Sequence, residues 1–186
     1  MLKTVLEQGY RWQEFKPLQI AVNLSELQLK QPDLLYVLQG LLDNTKFPPG
    51  NLELELTENV VFQNISGASE KLFQIKSLGI RLAVDDFGTG YSTLGHLAHF
   101  PFDRIKIDQK LAPNIPADPK DAAIVAGIIT ISENLGLEVI AEGVETNEQL
   151  VFYQSQNCHV IQGWYFSRAV PGDTITELLK NGHNWL

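Results

Sequence analysis

Cysteine is almost missing from this 186-residue chain, where Cys158 stands alone. An intrachain disulfide framework and a thiolate zinc site are both excluded, and Cys158 is expected to be a small buried side chain. Long apolar runs are also missing. No stretch approaches the ~20 residues needed to cross a bilayer, and the N-terminus lacks the basic-then-apolar order of a signal peptide, which predicts a soluble, cytoplasmic piece. Positive charge is scarce: 14 Lys and Arg stand against 22 Asp and Glu, a net of −8. That balance argues against a DNA or RNA groove, which depends on clustered cations, so an anionic substrate would need metal ions to bring it in. Linkers and low-complexity tracts are absent too. Pro48-Pro49-Gly50 and the Pro113–Pro119 loop read as connections, and residues 1–186 are expected to form a single domain.

What the chain does contain is an alternation. Short runs rich in Val, Ile and Leu are separated by longer segments of helical period, the pattern of βα units around a parallel sheet. Six units are predicted, with strands at Leu18–Leu24, Leu52–Thr57, Ile80–Asp85, Arg104–Asp108, Glu138–Glu142 and His159–Phe166, and an amphipathic helix at Met1–Glu14 leading in. Ser66-Gly67-Ala68-Ser69-Glu70 offers capping residues before Leu72, Ile75 and Leu78, with Gly79 as a stop. Asp118-Pro119 sets a cap and first-turn proline before Ala122–Ile131, which Gly136 closes, and another helix is expected near Thr146.

Parallel strands buried on both faces should read as nearly continuous apolar sequence. These carry polar residues toward their C-terminal ends: Asn23 in the first, Glu55 and Glu58 closing the second, and Asp85 and Asp86 the third. Lys106 and Asp108 lie in the fourth, Glu142 and Glu145 end the fifth, and Gln162 lies in the sixth. Because parallel strands point one way, these ends gather on one rim, where a (β/α) barrel or open α/β sheet builds its site. Plainer readings exist for each residue. Asn23 suits a turn or cap, and Glu53, Glu55 and Glu58 suit a solvated edge. Asp85-Asp86 is harder to explain away, since two carboxylates ~4 Å apart repel by about 4 kcal/mol at an effective dielectric of ~20, a cost that a dication removes. Lys106, between Ile105 and Ile107, requires a carboxylate partner whether its role is structural or chemical.

Weaker signals are read conservatively. Phe87-Gly88-Thr89-Gly90-Tyr91-Ser92 could cradle phosphate or simply support the two aspartates. His96 and His99 lack a ligand spacing and read as surface or packing residues. Trp12, Trp164 and Trp185 are expected to pack rather than to stack on bases.

Taken in order, Asn23-Leu24-Ser25, Glu53-Leu54-Glu55-Leu56-Thr57-Glu58, Asp85-Asp86-Phe87-Gly88-Thr89-Gly90-Tyr91-Ser92, Ile105-Lys106-Ile107-Asp108, Ala141-Glu142-Gly143-Val144-Glu145-Thr146 and Gln162-Gly163-Trp164-Tyr165-Phe166-Ser167 resemble the successive motifs of the EAL family of cyclic-di-GMP phosphodiesterases. The resemblance implies an α/β fold, a TIM-like (β/α)₈ barrel present here as about six units. It also implies hydrolysis of cyclic di-GMP to linear pGpG with two Mg²⁺ or Mn²⁺ ions. By motif, Asn23, Glu55 and Asp85 resemble metal ligands, with Asp86 serving the second ion. Lys106 resembles the residue that contacts the attacking water, and Glu142 the general base or a second-metal ligand. Asp108, Glu145 and Gln162 resemble supporting members, and Glu58 the anchor of the loop Phe87–Ser92, through which family members couple dimerisation to activity.

The chain departs from that pattern in one respect: the name-giving Glu-Ala-Leu triplet, a metal-ligand segment, does not occur. Met1–Glu14 corresponds to the helix before the third barrel strand, so two strands and a helix are expected to be missing, whether by cutting or in a naturally shortened relative. Poor turnover by the isolated chain and self-association through open barrel edges are then expected. Upstream GGDEF or sensor domains are common in the family. The alternatives are a degenerate cyclic-di-GMP-binding sensor and a purely structural interaction domain.

Overall fold

The computed structural model describes residues 1–63, 65–88 and 97–181. Six parallel strands form one sheet in chain order: β1 (Ile20–Asn23), β2 (Leu52–Thr57), β3 (Arg81–Phe87), β4 (Arg104–Ile107), β5 (Glu138–Ala141) and β6 (Val160–Ile161). Around it run α1 (Leu2–Trp12), α2 (Glu26–Leu29), α3 (Leu34–Thr45), α4 (Glu58–Gln63), α5 (Ile65–Ser77), α6 (Pro119–Asn134), α7 (Asn147–Ser155) and α8 (Gly172–Lys180). The sheet curls into a half-barrel. Its curvature is visible in bonds that skip a strand, since Arg104 of β4 reaches Glu53 of β2 at 3.0 Å and Lys106 reaches Glu55 at 2.7 Å.

Alternation along the strands separates two environments. Leu52, Leu54 and Leu56 of β2 and Ile105 and Ile107 of β4 belong to the continuous apolar core, with Leu72, Ile75 and Val125 of α5 and α6. Each such fully buried side chain contributes about 1.5–3 kcal/mol. The intervening positions, Glu53, Glu55, Arg104 and Lys106, are equally buried but face inside the barrel. Glu53 is therefore not on a solvated edge. It meets Arg104, whose guanidinium also bonds Glu138 at 2.5 Å and Gln19 at 2.7 Å, closing the base of the half-barrel. Burial raises the Glu53 pKa, with Arg104 opposing it.

Local chemistry fixes the helix starts. Asp118 accepts from the Lys120 N–H at 2.8 Å with Pro119 in the first turn, and Thr146 and Gln149 form a capping box at the start of α7. Two expectations are corrected. The run Ser66–Glu70 lies inside α5, which already begins at Ile65, rather than ahead of the helix. The strand expected at His159–Phe166 lasts only two residues, because after Gln162 the chain folds back on the β5–α7 loop: Tyr165 N–H donates to Val144 O at 3.0 Å and Phe166 N–H to Gly163 O at 3.2 Å. Apolar character persists through this run although the ladder has ended. Cys158 is buried, as expected, and burial pushes its thiol up to about 11.

Candidate active site

The polar strand ends meet at the C-terminal mouth of the half-barrel around Lys106. Its Nζ lies 2.7 Å from Glu55 Oε1 on β2, 3.1 Å from Asp85 Oδ1 on β3 and 2.8 Å from Glu142 Oε1 just past β5. Burial alone would pull this ammonium down, but the hydrogen bonds and attraction from Glu142 and Glu55 outweigh it and hold its pKa above the ordinary lysine value. Glu142 is shifted up, first by burial, against which Lys106 acts, and further by the charges of Asp85 and Glu55.

A register slip brings both aspartates to the same side. Val84 pairs with Ile105 and Phe87 with Ile107, so Asp85 and Asp86 together stand opposite Lys106 alone. In a regular strand these neighbours would point to opposite faces; the bulge, with Asp86 at φ +55°, turns both toward the mouth. Aspartate tolerates that left-handed conformation better than most residues. Carboxylate oxygens of Asp85, Asp86 and Glu142 consequently lie within 4.8 Å of one another. Asp86 is shifted up by burial, by a hydrogen bond with Asp108 and by the charge of Asp85. Burial works upward on Asp108 as well, yet the Lys110 backbone N–H at 2.6 Å and the bond with Asp86 bring its pKa below the ordinary value.

The remaining predicted residues fall around this centre. Asn23 ends β1 as the register partner of Glu55, and is exposed. Glu58 is buried at the start of α4, directly after β2, where its carboxylate accepts from the Gly88 N–H at 2.8 Å. Gly88 has φ +95°, and a Cβ there would lie 2.7 Å from Leu111, so this bend after β3 suits glycine alone. Residues 89–92 of the glycine-rich segment, His96 and Trp185 lie outside the described residues. Glu145 and Gln162 share with Asp108 and Glu142 the wall of a cleft of ≈ 510 Å³ that opens beside the centre. His99 is exposed, as expected. Trp12 packs, donating to Thr176 Oγ1 at 2.9 Å. Trp164 does not pack: it is 58% exposed on the cleft wall, with the Arg168 guanidinium 4.1 Å from its ring centroid. Sequence patterns register the apolar character of an indole, not its exposure, and gave no signal for this pair.

The donor set suits a hard divalent cation. Three carboxylates, those of Glu55, Asp85 and Glu142, face one ammonium, Asp86 lies beside two of them, and neither thiolate nor imidazole is among these groups. Oxygen-only clusters with excess negative charge match Mg²⁺ or Mn²⁺ rather than softer metals. The tight triplet is Asp85, Asp86 and Glu142, while Glu55 engages Lys106.

An α/β half-barrel whose polar site sits at the C-terminal ends of its strands is TIM-like in architecture. The family model for the EAL domain matches residues 1–169, and the chain belongs to that family. Among curated relatives, the cyclic di-GMP phosphodiesterase NbdA of Pseudomonas aeruginosa is 37% identical over 163 residues, 88% of this chain and 21% of the relative. The phosphodiesterase PaMucR, solved in complex with c-di-GMP, superposes with a TM-score of 0.88 at 33% identity, covering 94% of this chain and 71% of that one. BlrP1 of Klebsiella pneumoniae, solved with manganese and c-di-GMP, gives 0.82 at 33% identity, covering 89% and 42%. The chain spans about a fifth to a quarter of the length of the curated relatives it matches.

Proposed function

We propose that this domain hydrolyses one phosphodiester of cyclic di-GMP to linear pGpG. The observation that carries the reading is the convergence of Glu55, Asp85 and Glu142, from three strands, on the single buried ammonium of Lys106. In this reading Asn23, Glu55 and Asp85 hold one Mg²⁺ or Mn²⁺, and Asp86 serves a second. Such ions, when bound, lower the pKa of water, stabilise attacking and leaving oxygens, and offset the acidic rim that would repel a dianionic dinucleotide. Lys106 holds the three carboxylates with its three N–H donors, and contacts the incoming water once a bound ion draws one of those carboxylates away. Glu142, its pKa raised chiefly by burial, is the proton acceptor, with Oε2 the receiving atom. A P–O bond to the water oxygen forms as the P–O3′ bond breaks; one water proton passes to Glu142, and the 3′ oxygen leaves as a hydroxyl on taking a proton from solvent. Asp108, Glu145 and Gln162 line the approach, and Glu58 steadies the bend at Gly88. Self-association belongs to the same reading, because β1 and β6 each pair on one side only among the described residues, and an unpaired strand edge recruits another.

The test is calorimetric titration of the chain with cyclic di-GMP with and without Mn²⁺, followed by chromatography for pGpG. Metal-dependent binding and slow conversion are expected, slow because the sequence contains no Glu-Ala-Leu triplet. Glu142→Gln is expected to lower product formation by roughly 100-fold or more. Binding with no product would favour the sensor reading, and neither binding nor product would overturn both.

A further inference from the structure

A second pocket, of ≈ 210 Å³, borders the cleft of the carboxylate centre. Gln109, Glu142 and Gly143 line both, and Gln109 lies so close to Gly143 that a Cβ there would meet its Oε1 at 2.5 Å. Ala112, Pro113, Ile115 and Val144 make much of the remaining wall apolar, and Tyr153 of α7 stands among them. Tyr153 is only 4% exposed, yet its hydroxyl bonds to no other described residue. Buried hydroxyls ordinarily have a partner, and burial pushes this one up to about 12, so it stays a protonated donor at any working pH. Water alone would leave the four apolar walls wet, whereas an apolar body with one polar group satisfies both. The turn beside the pocket also touches every arm of the centre. Asp108 hydrogen-bonds Asp86, Gln109 lies against Gly143 next to Glu142, and Leu111 lies against Gly88 just past the two aspartates. The 3₁₀ turn Gln109–Leu111 is thus a common backing for the carboxylate triplet.

We propose that this pocket is an effector site for a small neutral amphiphile, a phenol-sized apolar body whose one oxygen meets the Tyr153 hydroxyl, and that its occupation tightens cation binding at the neighbouring centre. The tightening rests on the divalent-cation reading given above; the site itself does not. Charge selects a neutral ligand, because Lys110 on the pocket wall opposes a cation and Glu142 opposes an anion. Filling the pocket braces the turn Gln109–Leu111, and a centre already ordered loses less entropy when the cation arrives. By linkage, the cation tightens the effector by the same factor.

The probe is phenol, titrated into the chain and followed by ligand-observed NMR, with benzoate and benzylamine as charged controls of similar size. A Kd of about 1 mM is expected for a molecule this small, with both controls at least roughly 5-fold weaker. Tyr153→Phe is expected to weaken phenol by roughly 2- to 12-fold through the lost hydrogen bond, and Ala112→Leu, which fills the pocket, to abolish its binding. Saturating phenol should lower the Mn²⁺ Kd about 5-fold in the wild type and leave it unchanged in Ala112→Leu. Phenol that does not bind, binds no better than its charged controls, or binds Tyr153→Phe as tightly as the wild type overturns the site. Phenol binding as expected, with Mn²⁺ affinity unchanged or weakened, overturns the tightening alone. A wild-type chain that binds phenol but no Mn²⁺ overturns the tightening and the divalent-cation reading beneath it, and leaves the site standing.

Discussion

Lys106 is a buried cation with more carboxylates around it than it can neutralise, and this imbalance governs the site. Removing one partner from a buried charge cluster costs more than the pair itself contributes, since uncompensated charge remains in low dielectric. Lys106→Met is therefore expected to destabilise the metal-free protein by about 3–5 kcal/mol in urea unfolding. Added Mn²⁺ should recover more stability in this variant than in the wild type, because the cation then supplies the missing charge. Equal metal increments in the two proteins would count against a shared carboxylate site. Lys106, Asp85 and Asp86 were legible in the sequence because charge inside an apolar strand demands a partner. That Asp85 and Asp86 would share one cation site with Glu142 was expected; the means, a one-residue bulge and a positive φ at Asp86, was not legible, since residue types do not announce it. Trp164 was misread as packing for a related reason: composition reports what a side chain prefers, and the turn at Gly163 decides what it receives.

At the scale of elements, β2 is read from the sequence with its observed bounds, and β3, β4 and β5 are found within about two residues, because their apolar runs stop where the chain turns toward the mouth. The sixth strand is not. Ile161 is followed by a segment that stays apolar while its hydrogen bonds pass to Gly163 and Val144, so hydrophobicity outlasts the ladder. The inner layer of Glu53, Arg104 and Glu138 was also invisible, since alternation shows that two residues share a face but not that the sheet curls enough to join β2 to β4. The tight element here is the turn after β6. Gly163→Ala would force a methyl to within 2.0 Å of Val144 O, and backbone there cannot yield as a flexible side chain can. Overpacking of this kind costs about 1–3 kcal/mol or more, so a clear loss of thermal stability is expected by calorimetry, with cyclic di-GMP binding weakened because the Trp164 wall shifts. A variant with unchanged melting would show that the turn is loose.

For the molecule as a whole, the carboxylates of the half-barrel make stability depend on pH in a way that metal should reverse. Glu53, Asp86 and Glu142 all have pKa values raised in the fold, chiefly by burial, from ordinary values of 4.5, 3.8 and 4.5. A raised folded pKa means that the native state binds protons more readily than the unfolded chain, so the contribution is fully present below the unfolded value and is lost as pH rises through the folded one. Asp108 and Glu148 are shifted down from 3.8 and 4.5, and their contributions are lost only as pH falls below those ordinary values toward the folded ones. Between pH 7 and about 5 the three raised groups therefore dominate, and the melting temperature in EDTA is expected to hold or rise on acidification before falling below about pH 4. Mn²⁺ binds ionised carboxylates and competes with protons for them, so its stabilising increment should grow from pH 5 to 7. Glu142→Gln should flatten the metal-free profile by removing one raised group and should reduce the Mn²⁺ increment at pH 7. A metal-free melting temperature that falls steadily from pH 7 to 5, together with a metal increment independent of pH, would mean that these carboxylates neither share protons nor meet a common cation.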